Sequence, residues 1–203
     1  MGVVEGMESS HRTAFPPYLR DAISSAKVRA EFRVGQQAQW DATLENMTYI
    51  SVAHTNASID YQLAYQQGHG GEWWDISMIV YWDSKPSALW PLSFSVKEGK
   101  GNLSSHGLPV IPPQVAPACP VTSRKRIAKS CLDVAEAIAK AAGLGVWSSA
   151  ESFSESIGLS DWHAEAMARD AECAVRHDLF LDLRPDMAEI KRNLRSSYKS
   201  LIT

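Results

Sequence analysis

Few residue groupings in this chain have the types and spacing that chemistry requires. His106 lies between Ser104-Ser105 and Gly107. A neutral imidazole there could take a proton from an attacking amine, or it could hydrogen-bond a neighbouring backbone group. Spacing identifies no catalytic partner for it. Ser104 and Ser105 would need a base and an oxyanion hole to act as nucleophiles, and the G-x-S-x-G elbow is absent. As turn formers they need neither. Trp73-Trp74 beside Gly68-His69-Gly70-Gly71 could stack on a sugar ring or a base, or could pack at the rim of a core. Near the C-terminus, Lys191, Arg192, Arg195 and Lys199 form a basic cluster. Arg195 and Lys199 are candidate contacts to a phosphate-bearing substrate or a tRNA backbone; the alternative is a solvated helix face. His163 and Arg176-His177-Asp178 have no HxH or HExxH spacing, so no metal site is read. Cys119, Cys131 and Cys173 form no C-x-x-C pair and read as reduced thiols.

The 203 residues fit one large domain, or one domain with an appendage. A net charge of -3 calls for neither nucleic acid nor an anionic membrane as a bulk partner. No stretch reaches the ~18 apolar residues of a membrane span. The start MGVVEGMESSHR has no basic region followed by an apolar run, and Gly6 stands where myristoylation needs Ser or Thr. The sequence therefore reads as soluble and cytoplasmic.

Residues 1–31 read as an arm broken at Pro16-Pro17. Trp40, Leu44 and Met47 place a helix over 36–47; Ile59 and Leu63 place another over 58–67, capped by Thr55 or Asn56 and ended by Gly68. Ile76–Trp82 and Ala88–Phe94, joined by Asp83-Ser84-Lys85-Pro86, predict an antiparallel hairpin. Pro91 in the return strand argues for an edge, a bulge or a strand that splays from its neighbour. After a polar turn at 97–100, residues 103–111 predict a short strand. Thr122 or Ser123 should cap the strongest helix, whose face is Ile127, Cys131, Val134, Ile138 and Ala142, with Gly143 closing it. Residues 144–147 predict a short strand, 161–172 a helix and 179–183 a strand. A last helix should start at Asp186, with Glu189 in a capping-box-like arrangement and Met187, Ile190, Leu194 and Leu201 as its apolar stripe. The fold class is mixed α/β (α+β), with a largely antiparallel sheet and packed helices.

In order along the chain, several short segments resemble the N-terminal half of the Fem-type peptidyltransferases and related GNAT-like acyltransferases. They are Trp40-Asp41, Ala57–Leu63, the hairpin with Lys85-Pro86 and Trp90-Pro91-Leu92, Leu103–Pro109, Leu181-Asp182-Leu183 and Asn193–Ile202. The resemblance covers roughly residues 35–203 and implies a GNAT-like (FemAB-like) fold. On that basis the chain divides into an arm (1–31), a GNAT-like domain (32–184) and a basic amphipathic helix (185–203) that leads in the family to a second domain.

The implied activity is transfer of an acyl or aminoacyl group to an amine or hydroxyl acceptor, in cell-envelope or polysaccharide precursor synthesis. Acyl-CoA or aminoacyl-tRNA would be the donor, and the acceptor a small or lipid- or sugar-linked molecule. The Arg/Gln-x-x-Gly-x-Gly/Ala loop that cradles a CoA pyrophosphate at a helix N-terminus is not found, so no cofactor is assigned to this chain's own residues. Gly68-His69-Gly70-Gly71 precedes the hairpin, and Gly143-Leu144-Gly145 follows a helix instead of opening one. The competing expectation is a non-catalytic binding or assembly module, or one half of a two-domain transferase. The apolar stripe of the last helix would allow homo-oligomers.

Overall fold

The computed structural model describes residues 16–26, 28–151, 160–174 and the positions Asp186, Ala188, Glu189 and Arg192. The chain divides into two units, Met1–Ala171 and Glu172–Thr203. In the second, the Glu189 amide donates to Asp186 Oδ1 (2.8 Å), the bond expected at the start of the last helix. The 179–183 strand and the apolar stripe of that helix lie outside the described residues.

In the first unit the helices are α1 (Pro17–Ser25), α2 (Gln37–Leu44), α3 (Asn56–Gly68), α4 (Val121–Ala141) and α5 (Asp161–Met167). The strands are β1 (Ala30–Phe32), β2 (Glu72–Asp75), β3 (Met78–Trp82), β4 (Lys85–Trp90), β5 (Ser93–Lys97), β6 (Lys100–Ser104) and β7 (Gln114–Val115). They form two antiparallel sheets, ordered β1-β3-β4-β7 and β2-β5-β6. The class is α+β, as the sequence pattern implies. Among the described residues no helix is long and apolar enough to cross a membrane.

The two sheets share one bent ribbon. β2 pairs with β5 up to Asp75↔Ser93, and β3 resumes with β4 at Met78↔Trp90. Two residues lie between the pairs on each strand, Ile76-Ser77 and Pro91-Leu92, so the register runs through unbroken. The Ile76 amide bonds Leu92 O (2.9 Å) in between. The ribbon bends at Ile76-Ser77 and Pro91-Leu92. Pro91 faces Ser77 in the alternation, so its missing N–H would have pointed into the gap between β7 and β6 and costs no bond there. The expected hairpin is therefore present, but its return strand changes sheets at Pro91.

Three tight turns drive the antiparallel folding. Asp83-Ser84, Glu98-Gly99 and His106-Gly107 each place two consecutive residues at positive φ. This is the geometry whose twist matches two adjoining strands.

Alternation along β3 and β4 gives the first sheet two apolar faces. Met78, Val80, Ala88 and Trp90 face the main core with Leu19 and Ile23 of α1 and Ile127, Cys131, Val134 and Ile138 of α4. Ile79 and Leu89 face the other way, onto Trp40, Leu44 and Met47 and onto Ile59 of α3. The stripe read on α4 is thus the stripe it buries. Each fully buried aliphatic contributes up to ~1.5–3 kcal/mol, which is what holds α4 to the sheet.

Several expectations need correction. The supposed arm contains α1 and β1: Pro17 occupies the first helical turn, where it lacks nothing, and Leu19, Ala22 and Ile23 form a short buried face. The Trp73-Trp74 segment is strand β2, and 93–104 is a second hairpin. Residues 144–147 form no strand; the nearest pairing is a single bridge from Ser149 to Val110. α4 begins at Val121 with no side-chain cap, because its N-cap position is Pro120, whose ring carries no acceptor; Pro120 O accepts from the Ser123 and Arg124 amides (2.9 and 3.1 Å). α3 begins where expected, with Thr55 Oγ1 accepting from the Ser58 amide (3.2 Å).

Candidate functional site

Bending a ribbon removes ladder partners, and every buried backbone group left over needs another. Polar side chains supply them here. Ser77 Oγ accepts from the Leu92 amide (3.1 Å) and donates to Leu92 O (3.2 Å), stitching the bend across the two strands. Ser105 Oγ donates to Pro91 O (2.7 Å) and accepts from the Ile111 amide (3.0 Å). Ser93 Oγ accepts from the His106 amide (2.9 Å), and Ser104 Oγ accepts from the Gly107 amide (3.2 Å). Ser77, Ser93, Ser104 and Ser105 are all buried.

A charged cluster occupies the same bend. Arg33, just after β1, is buried and donates to Asp75 Oδ2 (2.7 Å), Asn56 Oδ1 (2.6 Å) and Asp60 Oδ1 (2.6 Å). It thereby ties β2 to the start of α3. Asp75 Oδ1 accepts from the Ser77 amide (2.9 Å) and faces His106 Nε2 (3.3 Å). Burial by itself pushes the Asp75 carboxyl up. The His106 hydrogen bond, the Arg33 charge and the Ser77 contact outweigh it and hold Asp75 down at about 2. Asp75 is therefore an ionised carboxylate inside the protein, and a carboxylate only accepts, so His106 Nε2 carries the proton they share.

His106 is held in a left-handed backbone conformation at φ 55° within the Ser105–Leu108 turn. A non-glycine residue there costs ~1–3 kcal/mol and persists only where its surroundings enforce it, as the turn does here. The geometry is not that of a serine-histidine-aspartate relay. In a relay the two partners take opposite ring nitrogens, whereas Ser77 Oγ (3.4 Å) and Asp75 Oδ1 (3.3 Å) both meet His106 Nε2.

Of the residues singled out from sequence, the fold brings His106, Ser104 and Ser105 together at the bend. Trp73 and Trp74 point to opposite faces of β2. Trp74 is buried against Phe94, with ring centroids 6.1 Å apart, and so packs the core; Trp73 is half-buried. Arg195 and Lys199 lie outside the described residues. His163 bonds Glu151 (2.7 Å) next to its capping serine, Ser160. Among the described residues no group of His, Cys, Asp and Glu could hold a metal. Cys119 and Cys131 are buried free thiols, and burial pushes the Cys131 thiol up.

Sequence reasoning missed Arg33, Asn56, Asp60, Asp75 and Ser77. Asp75 carried a usable signal: a lone carboxylate between Trp73-Trp74 and Ile76 interrupts an otherwise apolar run, and buried charges are found paired. A cavity of about 130 Å³ lies away from the bend, between α1 and the β1–β3 pair, with Arg20, Ile23, Val28, Glu31, Phe32 and Met78 in its wall. It is smaller than the ~300–1,000 Å³ of an ordinary small-molecule site. Compared with known protein families, with curated proteins and with solved structures, the chain matches none of them. The arrangement at the bend is therefore what any functional reading must be built on.

Proposed function

We propose that the chain is an acyl- or aminoacyltransferase-like domain, in which an amine or hydroxyl attacks a thioester or ester carbonyl. The single observation that carries this reading is the Asp75–His106 pair at the bend of the ribbon. A carboxylate that fixes one ring nitrogen of a histidine leaves the other to collect the proton lost by an attacking nucleophile. The resemblance to Fem-type and GNAT-like enzymes supplies the reaction class and the expected acyl-CoA or aminoacyl-tRNA donor. The sequence contains no Gly-rich phosphate loop, so no residue of the chain is assigned to the donor in this reading.

One observation favours a second reading, a non-catalytic module or one half of a larger transferase. His106 is 3% exposed, and every serine around it is engaged with backbone. In that reading the cluster fastens the bend and does no chemistry.

The test incubates the full chain separately with acetyl-CoA and with aminoacyl-tRNA, against a panel of amine, hydroxyl and sugar acceptors. The first reading expects donor-dependent label transfer that His106→Gln abolishes without changing the thermal melt. No transfer from either donor, with His106→Gln lowering the melt, selects the second.

A further inference from the structure

α3 is exposed over most of its surface: of its residues, Ile59 alone is fully buried, with Leu63 partly buried beside it. Its outer side carries Tyr61 (64% exposed) and Tyr65 (50% exposed), followed by His69 immediately past its end. Spacings of four residues put all three on one side of the helix. Their rings form a continuous row. Tyr61 and Tyr65 lie with centroids 6.2 Å apart and planes within 22°, and Tyr65 and His69 are 4.3 Å apart. The row is fixed at its end, because His69 Nδ1 donates to Tyr65 O (2.8 Å) and Lys97 Nζ donates to His69 O (3.4 Å). Neither tyrosine hydroxyl has a hydrogen-bond partner among the described residues.

Isolated exposed aromatics are ordinary. Three held in mutual contact, two of them with hydroxyls free among the described residues, form an ordered surface. Its charge says what fits. Asp60 is the single charged side chain of α3 and is engaged with Arg33. A nucleic acid needs a cationic track beside its stacking rings, and among the described residues the one cation bonded to the row is Lys97. A proline-rich peptide needs a groove between aromatics, and these rings stand on a convex helix. An uncharged chain of alternating C–H faces and hydroxyl edges matches flat rings and free phenols together. We infer that the Tyr61–Tyr65–His69 row is a docking surface for a neutral glycan chain. It is separate from the buried Asp75–His106 pair and independent of any acyl transfer.

Affinity gel electrophoresis of the full chain through a panel of neutral polysaccharides (β-glucan, xylan, glucomannan and dextran) tests this, with a single-stranded RNA oligonucleotide and a proline-rich peptide as competing probes. The expected result is retardation by at least one polysaccharide. Tyr65→Ala should weaken it about tenfold, the loss expected for one stacked ring, while Tyr65→Phe stays within about threefold of the parent. Both side chains are exposed, so the variants should melt like the parent, and Tyr61→Ala gives an independent second reading. Failure of every polysaccharide to retard the chain overturns the inference. So do alanine variants of Tyr61 and Tyr65 that bind like the parent, or RNA or peptide bound in preference to glycan.

Discussion

His54 offers the sharpest test of the packing described here. It ends a short 3-10 turn, Val52–His54, between α2 and α3, and Trp40 Nε1 donates to its carbonyl (2.6 Å). The side chain is 1% exposed, and neither ring nitrogen has a partner among the described residues. Asp60, the nearest acid along the chain, is turned elsewhere and accepts from Arg33. Burial alone therefore acts on the imidazole and lowers it from 6.5 to about 4. The sign follows directly. Between those two values the unfolded chain binds a proton that the folded chain refuses, so stability falls as pH drops through 6.5 and the loss is complete near pH 4. The full effect is about 3 kcal/mol, and about 2 kcal/mol of it should already be gone between pH 7.5 and pH 5. Asp75 does not confuse this window, because its own contribution is present above about pH 4 and lost only as pH falls toward 2. Urea unfolding of the parent and of His54→Leu, a swap of similar volume, should give curves that diverge below pH 6.5, with the variant losing less. Parallel curves from pH 7.5 to pH 5 would refute the reasoning, since they would mean the ring is solvated or partnered in the folded state.

Two further outcomes follow from the bend. Asp75→Asn should cost ~3–5 kcal/mol in chemical unfolding, because it leaves the buried Arg33 charge short of its main partner. Asp60→Asn, whose side chain is 62% exposed, should stay within ~1 kcal/mol; equal costs for the two would show that Arg33 is not anchored from the β2 side. Ser77→Ala should cost ~1–3 kcal/mol by orphaning the Leu92 amide and should speed hydrogen exchange at that amide. Ser84→Ala, at an exposed turn, should change stability by less than ~0.5 kcal/mol.

The elements legible in the sequence are those whose signal is local. Ile127, Cys131, Val134 and Ile138 recur at the helical period, and that period alone fixes which face of α4 is buried. Thr55 announces the start of α3, and the β-branched and aromatic run through Ile76–Trp82 announces a strand. α1 and β1 escaped because one is short and the other depends wholly on pairing with β3, a partner far along the chain.

The bend was half legible. Pro91 declared that the return strand could not pair on both sides. That the gap would be filled by Ser77, Ser105 and an ionic cluster was not written in any local pattern.

Arg33 and Asp75 are 42 residues apart, and Asp75 and His106 are 31 apart. Neither pair shares a helical turn or a strand alternation. Types and periods determined which segments became helix or strand and which faces turned inward. Only the tertiary fold decided that one carboxylate, one guanidinium and one imidazole would meet. The physical reason is that a bent ribbon strands backbone groups and buried charges in the same small volume, and both must find partners once water is excluded.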